Sequence, residues 1–113
     1  MKYAMVIVKS DQEWEALSEA ERNFEAIVDW WTRLRSTGKI EVGAELHPPR
    51  SAKTIAWLGS EMVVTDGPYV EAKETVGGFG ILNAATEAEA IEIVRTWPST
   101  KGIRIEVRPI VGS

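Results

Sequence analysis

Two rhythms of apolar and polar positions run along this chain. From Tyr3 to Val8 every residue is apolar, with Tyr3, Met5 and Ile7 on one face and Ala4, Val6 and Val8 on the other. Such a run predicts a strand buried on both sides. Phe79 to Ala84 is apolar on both faces in the same way and predicts a second central strand. Between them Leu17, Phe24, Ile27, Trp31 and Leu34 recur at helical spacing. Ser10-Asp11-Gln12-Glu13 and Ser18-Glu19-Ala20-Glu21 are two capping-box patterns, and the long helix is expected to begin at the second. Gly38 supplies its left-handed stop.

Ile40 to Leu46 reads as a short strand, interrupted at His47-Pro48-Pro49 because proline cannot donate to a ladder. Thr54 to Leu58 and Met62 to Thr65 predict a hairpin turned at Gly59-Ser60, running on into Asp66-Gly67-Pro68-Tyr69. After a charged stretch and the second central strand, Thr86-Glu87-Ala88-Glu89 caps a helix with the stripe Ala90, Ile91, Val94 and Trp97, ended by Pro98. In the last strand, Ile103 to Ile110, Ile103, Ile105 and Val107 share one face and Arg104, Glu106 and Arg108 the other. The order is that of an α+β, ferredoxin-like split βαβ sandwich with an added hairpin, one domain over residues 1–113. Two helices cover only one face of such a sheet. The apolar second faces of both central strands therefore predict a homodimer that pairs sheet to sheet.

Composition narrows the field further. At 113 residues, 44% hydrophobic and 27% charged, the chain has ordinary globular usage. No apolar run approaches the ~20 residues of a membrane span, and the apolar start reads as a first strand, so no membrane partner is expected. The absence of cysteine removes disulfides, thiolate nucleophiles and sulfur-based zinc sites, and a cytoplasmic location is expected. A net charge of −4 with acids and bases interleaved offers no basic stripe for nucleic acid.

The run Val64-Thr65-Asp66-Gly67-Pro68-Tyr69-Val70-Glu71-Ala72-Lys73-Glu74-Thr75-Val76-Gly77-Gly78-Phe79 resembles the signature of the DGPF, or YCII-related, family. Leu46-His47-Pro48-Pro49 and Ile105-Glu106-Val107-Arg108-Pro109 resemble it too, so the likeness covers nearly the whole chain. The resemblance implies a ferredoxin-like fold associating as a dimeric α/β barrel, in a superfamily of small lyases, isomerases and cofactor-free oxygenases. Some such relatives are encoded beside sigma factors of the extracytoplasmic type, which implies a regulatory role. Relatives of the YCII type often carry a His early in the first helix and an Asp in an Asp-Pro-Phe run as a proposed catalytic pair. Here those places read Glu21-Arg22-Asn23-Phe24-Glu25 and Thr96-Trp97-Pro98, so the pair is missing.

Candidate chemistry gathers around the Asp66-Gly67-Pro68-Tyr69 turn. Asp can accept from nearby backbone N–H groups and Pro fixes φ, which is turn architecture. Yet Tyr69, Glu71, Lys73 and Glu74 follow closely and suit a binding loop. His47, the sole histidine, is a candidate general base beside Asp66. Glu71 and Glu74 suit either acid-base work or a solvated loop. One histidine with scattered carboxylates has no metal-ligand spacing, so no metal is expected. Arg104 and Arg108 suit an anionic ligand or ion pairs with the Glu71–Glu74 loop. Of the adjacent tryptophans, Trp31 is assigned to the core and Trp30 to a flank. Two functions follow. One is a cofactor-free enzyme doing acid-base chemistry on a small molecule, with His47 and Asp66 catalytic and Tyr69, Glu71, Lys73 and Arg108 binding. The other is a non-catalytic ligand-sensing or interaction module linked to a transcription regulator.

Overall fold

A computed structural model describes residues 1–68, 74–98 and 101–113. In chain order its elements are β1 (Lys2–Lys9), the short helices α1 (Asp11–Glu15) and α2 (Glu19–Arg22), α3 (Phe24–Ser36), β2 (Ile40–Glu45), β3 (Lys53–Leu58), β4 (Glu61–Asp66), β5 (Thr75–Asn83), α4 (Glu87–Arg95) and β6 (Ile103–Pro109). The chain is α+β, with one four-stranded antiparallel sheet in the order β2-β5-β1-β6 and a separate two-stranded sheet of β3 and β4. The two strands read as central from their apolar faces are the central ones.

Alternation along β1 decides which residues make the core. Tyr3, Met5 and Ile7 are buried, and they face the helix layer together with Leu82 of β5, Ile40 of β2, Trp30 and Leu34 of α3, and Ala90 and Ile93 of α4. Both longer helices therefore cover one face of the sheet. On the other face Ala4, Val6 and Val8 stand opposite Ile81, Phe79 and Val76 of β5 on one side and Arg108, Glu106 and Arg104 of β6 on the other. Val42 of β2 lies beside Ile81 on that outer face, and Val42, Val76 and Phe79 are exposed.

Local signals placed most helix ends. Ser18 and Glu21 form a complete capping box, each side chain meeting the other's backbone N–H, and Gly38 ends α3 at a φ of 74°. Thr86 caps α4, while Glu89 accepts from the N–H of Ala85, one residue before the cap. The first helical region does not run unbroken from Ser18 as expected. Asn23 adopts a left-handed φ of 55°, which asparagine tolerates better than most residues, and it divides α2 from α3. The guanidinium of Arg22 holds the corner by donating to the carbonyls of Trp14 and Glu15.

The tryptophan assignment is reversed by the fold. Trp30 is 1% exposed in the core, its indole N–H donating to Thr96 Oγ1 at 2.8 Å. Trp31 is half-buried and lies against paired glycines of neighbouring strands. A methyl group at Gly43 would stand 2.8 Å from Trp31 Cη2, and one at Gly80 would stand 3.3 Å from it. Arg35 fixes this seat from above, donating to the Gly43 carbonyl at 2.8 Å. On α4 the buried positions are Ala90, as expected, and Ile93, while Ile91 is exposed. Helical spacing tolerates either choice, and the direction of approach to the sheet selects one.

Gly43→Ala should push Trp31 off the sheet and cost about 1–3 kcal/mol in urea unfolding, as overpacking does, with Gly80→Ala costing less. Glu21 gives a pH signature. The Lys101 ammonium, and then the Ser18 N–H, lower its carboxyl pKa from 4.5 to about 2. A depressed folded-state pKa contributes stability above the unfolded value that is lost as pH falls through the folded one. The urea midpoint should therefore fall between pH 4.5 and about 2 less steeply in Glu21→Gln than in wild type, and added salt should shrink the difference.

Candidate functional site

Where α3 and the segment after α4 meet the sheet, aromatic rings leave a gap. Trp30, Trp31 and Trp97 stand edge to face in a cluster, with centroids 4.9–6.1 Å apart. Beside them a half-open cavity of about 60 Å³ is lined by Trp14, Phe24, Trp31, Trp97, Lys9 and Glu45, among others. Its floor includes Gly77, where an added methyl would meet the Lys9 stem at 3.0 Å. The walls are mostly apolar, and the polar groups are few and placed.

Lys9 lies with its ammonium 5.4 Å from the centroid of the Trp14 ring, its nearest carboxylate, Asp11, 4.0 Å away. Its side chain is only 14% exposed. The indole N–H of Trp97 is buried without a hydrogen-bond partner among the described residues, as is the hydroxyl of Thr75, which pairs in register with Lys9. A buried donor without an acceptor costs free energy. Glu45, at the other side, lies across β5 from β1 and is exposed.

The described residues among those proposed from the sequence, His47, Asp66 and Arg108, lie elsewhere. Asp66 ends β4, its carboxylate 87% exposed and paired with the ammonium of Lys53 directly across the hairpin. The turn is tied by other bonds: Gly67 N–H donates to the Ala52 carbonyl at 2.7 Å, and Thr54 Oγ1 donates to the Gly67 carbonyl at 2.7 Å. Among the described residues no backbone N–H donates to Asp66. His47 is exposed between β2 and the single 3-10 turn at Pro49–Ser51. Arg108 is exposed on the outer face of β6 and pairs along its own strand with Glu106 at 3.4 Å. Arg104 takes the expected ion pair with Glu74, which raises its pKa above the ordinary value. Tyr69, Glu71 and Lys73 lie outside the described residues.

The sequence profile of the YCII-related domain matches residues 1–112. The chain belongs to the YCII-related domain family. A relative in Rhizobium meliloti (strain 1021), described as an uncharacterized protein, is 36% identical over 77 residues, covering 65% of this chain and 60% of its own length. This YCII-related domain thus spans under two thirds of that curated relative. Among its described residues no helix is long and apolar enough to cross a membrane, and no group of three or more metal-ligating side chains comes together. The cavity residues Lys9, Trp14 and Trp97 were not singled out from sequence as a site. The signal that could have raised them is five tryptophans in 113 residues together with glycines clustered at 77, 78 and 80.

Because backbone and Thr54 hold the turn, Asp66→Ala in this YCII-related domain should lower stability by less than about 1 kcal/mol, the scale of an exposed ion pair. Thermal unfolding of wild type and variant side by side checks this. A larger loss would restore Asp66 as an acceptor for the turn.

Proposed function

We propose that this YCII-related domain is a homodimeric, ligand-sensing domain that binds a small, flat, apolar molecule with an anionic end. The cavity beside the tryptophan cluster is the observation that carries the reading. Four aromatic side chains supply apolar contact. The scarcely exposed ammonium of Lys9 offers a charge to a carboxylate or phenolate. About 60 Å³ suits the edge of a ring or a short alkyl group, with the charged end toward solvent.

The cavity also lies close in sequence to the family signature. Glu45 precedes His47 by two residues, and Gly77 is the third residue of β5, within the signature run that begins before Asp66. A bound molecule at this end of the sheet therefore touches the strand that follows the signature turn, and through it can report to a regulatory partner. The strand order β2-β5-β1-β6, with both helices on one face, supports a ferredoxin-like split βαβ sandwich. The apolar residues Val42, Val76 and Phe79 exposed on the outer face support pairing of two such sheets as a dimeric α/β barrel. Acid-base catalysis by His47 and Asp66 has less support, since Lys53 engages the Asp66 carboxylate.

Titration of intrinsic tryptophan fluorescence with benzoate, and with neutral benzyl alcohol for comparison, tests the assignment. Benzoate should quench saturably, and Lys9→Met should weaken it about tenfold while leaving benzyl alcohol unchanged, the scale of one charge-assisted hydrogen bond. Linear, unsaturable quenching by both compounds in the wild type would remove the cavity as a ligand site.

A further inference from the structure

We propose that the β3–β4 hairpin is an inter-subunit arm whose apolar face docks on a second copy of this chain. The inference rests on the sheet pairing proposed above and assigns an occupant to a different surface. In the hairpin register Ile55 stands opposite Val64 and Trp57 opposite Met62, so these four side chains share one face. Each is more than half exposed. Among the described residues the two strands pair only with each other, and a lone two-stranded ribbon is marginally stable in water.

The shape of the molecule agrees with a projecting arm. Its radius of gyration is 16.0 Å, against about 13 Å for a compact chain of this length, and it measures 45 × 40 × 20 Å. Among the described residues, the exposed apolar side chains include those of the hairpin face and, on the outer face of the four-stranded sheet, Val42, Val76 and Phe79. The four hairpin side chains are 56–68% exposed and Val42, Val76 and Phe79 are 38–47% exposed, apolar surface of the kind that a stable interface covers.

Charge favours a second copy over an unrelated partner. At the base of the hairpin's apolar face Lys53 and Asp66 neutralise each other, so the face carries no net charge to steer a charged partner. The outer sheet face is bordered by Arg104, Glu106 and Arg108, but Arg104 pairs with Glu74 and Arg108 with Glu106, so this border too meets a second copy without free charge to repel it. A two-fold axis that lays each arm on the other copy would cover the hairpin face of both chains and close the assembly at two.

Sedimentation velocity on the full chain provides the test, with wild type, the hairpin double variant Trp57→Ser/Met62→Ser and the sheet-face variant Phe79→Lys. Wild type should be dimeric at micromolar concentration, and the hairpin variant should dissociate about a hundredfold more readily, as loss of buried aromatic anchors does. A wild-type monomer would overturn both the arm and the sheet pairing. If wild type is dimeric, Phe79→Lys is monomeric and the hairpin variant keeps the wild-type dissociation constant, the arm fails while the sheet pairing stands. Amide hydrogen exchange on wild type gives a second readout that needs no variant. Protection over Lys53–Asp66 should rise with protein concentration, and protection indifferent to concentration would overturn the arm.

Discussion

The seat of Trp31 on the paired glycines Gly43 and Gly80 is the contact on which the rest of this fold depends. A ring pressed onto bare backbone sets the separation of helix layer and sheet at that point, because neither β2 nor β5 presents a Cβ that could hold it further off. Once Trp31 is seated, Trp30 on the same turn of α3 is directed into the core, where its N–H reaches Thr96 beyond the end of α4. Trp97 completes the edge-to-face cluster. Three large rings thereby tie α3, the end of α4 and the sheet together. Such rings bury about 150–250 Å² each, so one cluster accounts for a large share of the apolar contact between the layers.

The cavity is a consequence of the same packing. Rigid rings set edge to face do not fill space as aliphatic chains do, and the glycines at the start of β5 add no side chains to close the gap. What borders it is therefore aromatic wall, bare strand and the long stem of Lys9. Near it, Trp97 Nε1 and Thr75 Oγ1 are buried without a hydrogen-bond partner among the described residues, where the helix layer and the first residue of β5 stop short of satisfying each other. Function in a domain this small is read from such mismatches, since a fully satisfied core has nothing to offer a ligand.

The two faces of the four-stranded sheet have opposite fates for a related reason. The inner face is closed by α3 and α4, whereas the outer face carries apolar residues on its central strands and a charged row on β6. The ion pairs of Arg104 with Glu74 and Arg108 with Glu106 are exposed, and such pairs contribute little to stability. They keep one border of that face polar while its middle stays apolar. The hairpin repeats the theme at smaller scale, with one apolar face and one of Thr54, Ala56, Val63 and Thr65.

Much of this was written in local pattern. The uninterrupted apolar runs of β1 and β5 determined that these strands are central, the hairpin was legible at Gly59-Ser60, and Ser18, Thr86 and Gly38 marked helix ends, because caps, turns and alternation act within a few residues. The family signature was legible for the same reason, as a contiguous run. The core tryptophan, the burial of Ile93 rather than Ile91 on α4, the break at Asn23 and the cavity were decided only by tertiary structure. Helical spacing leaves Trp30 and Trp31 equally fit to face inward, and the choice is made by Thr96, 66 residues away from Trp30, and by two glycines on different strands. The signature turn shows the same division. Its sequence determined that the chain turns at Asp66-Gly67, but its bonds to Ala52 and Thr54, and the Lys53 partner of Asp66, come from the opposite strand of the hairpin and its approach, set by strand register.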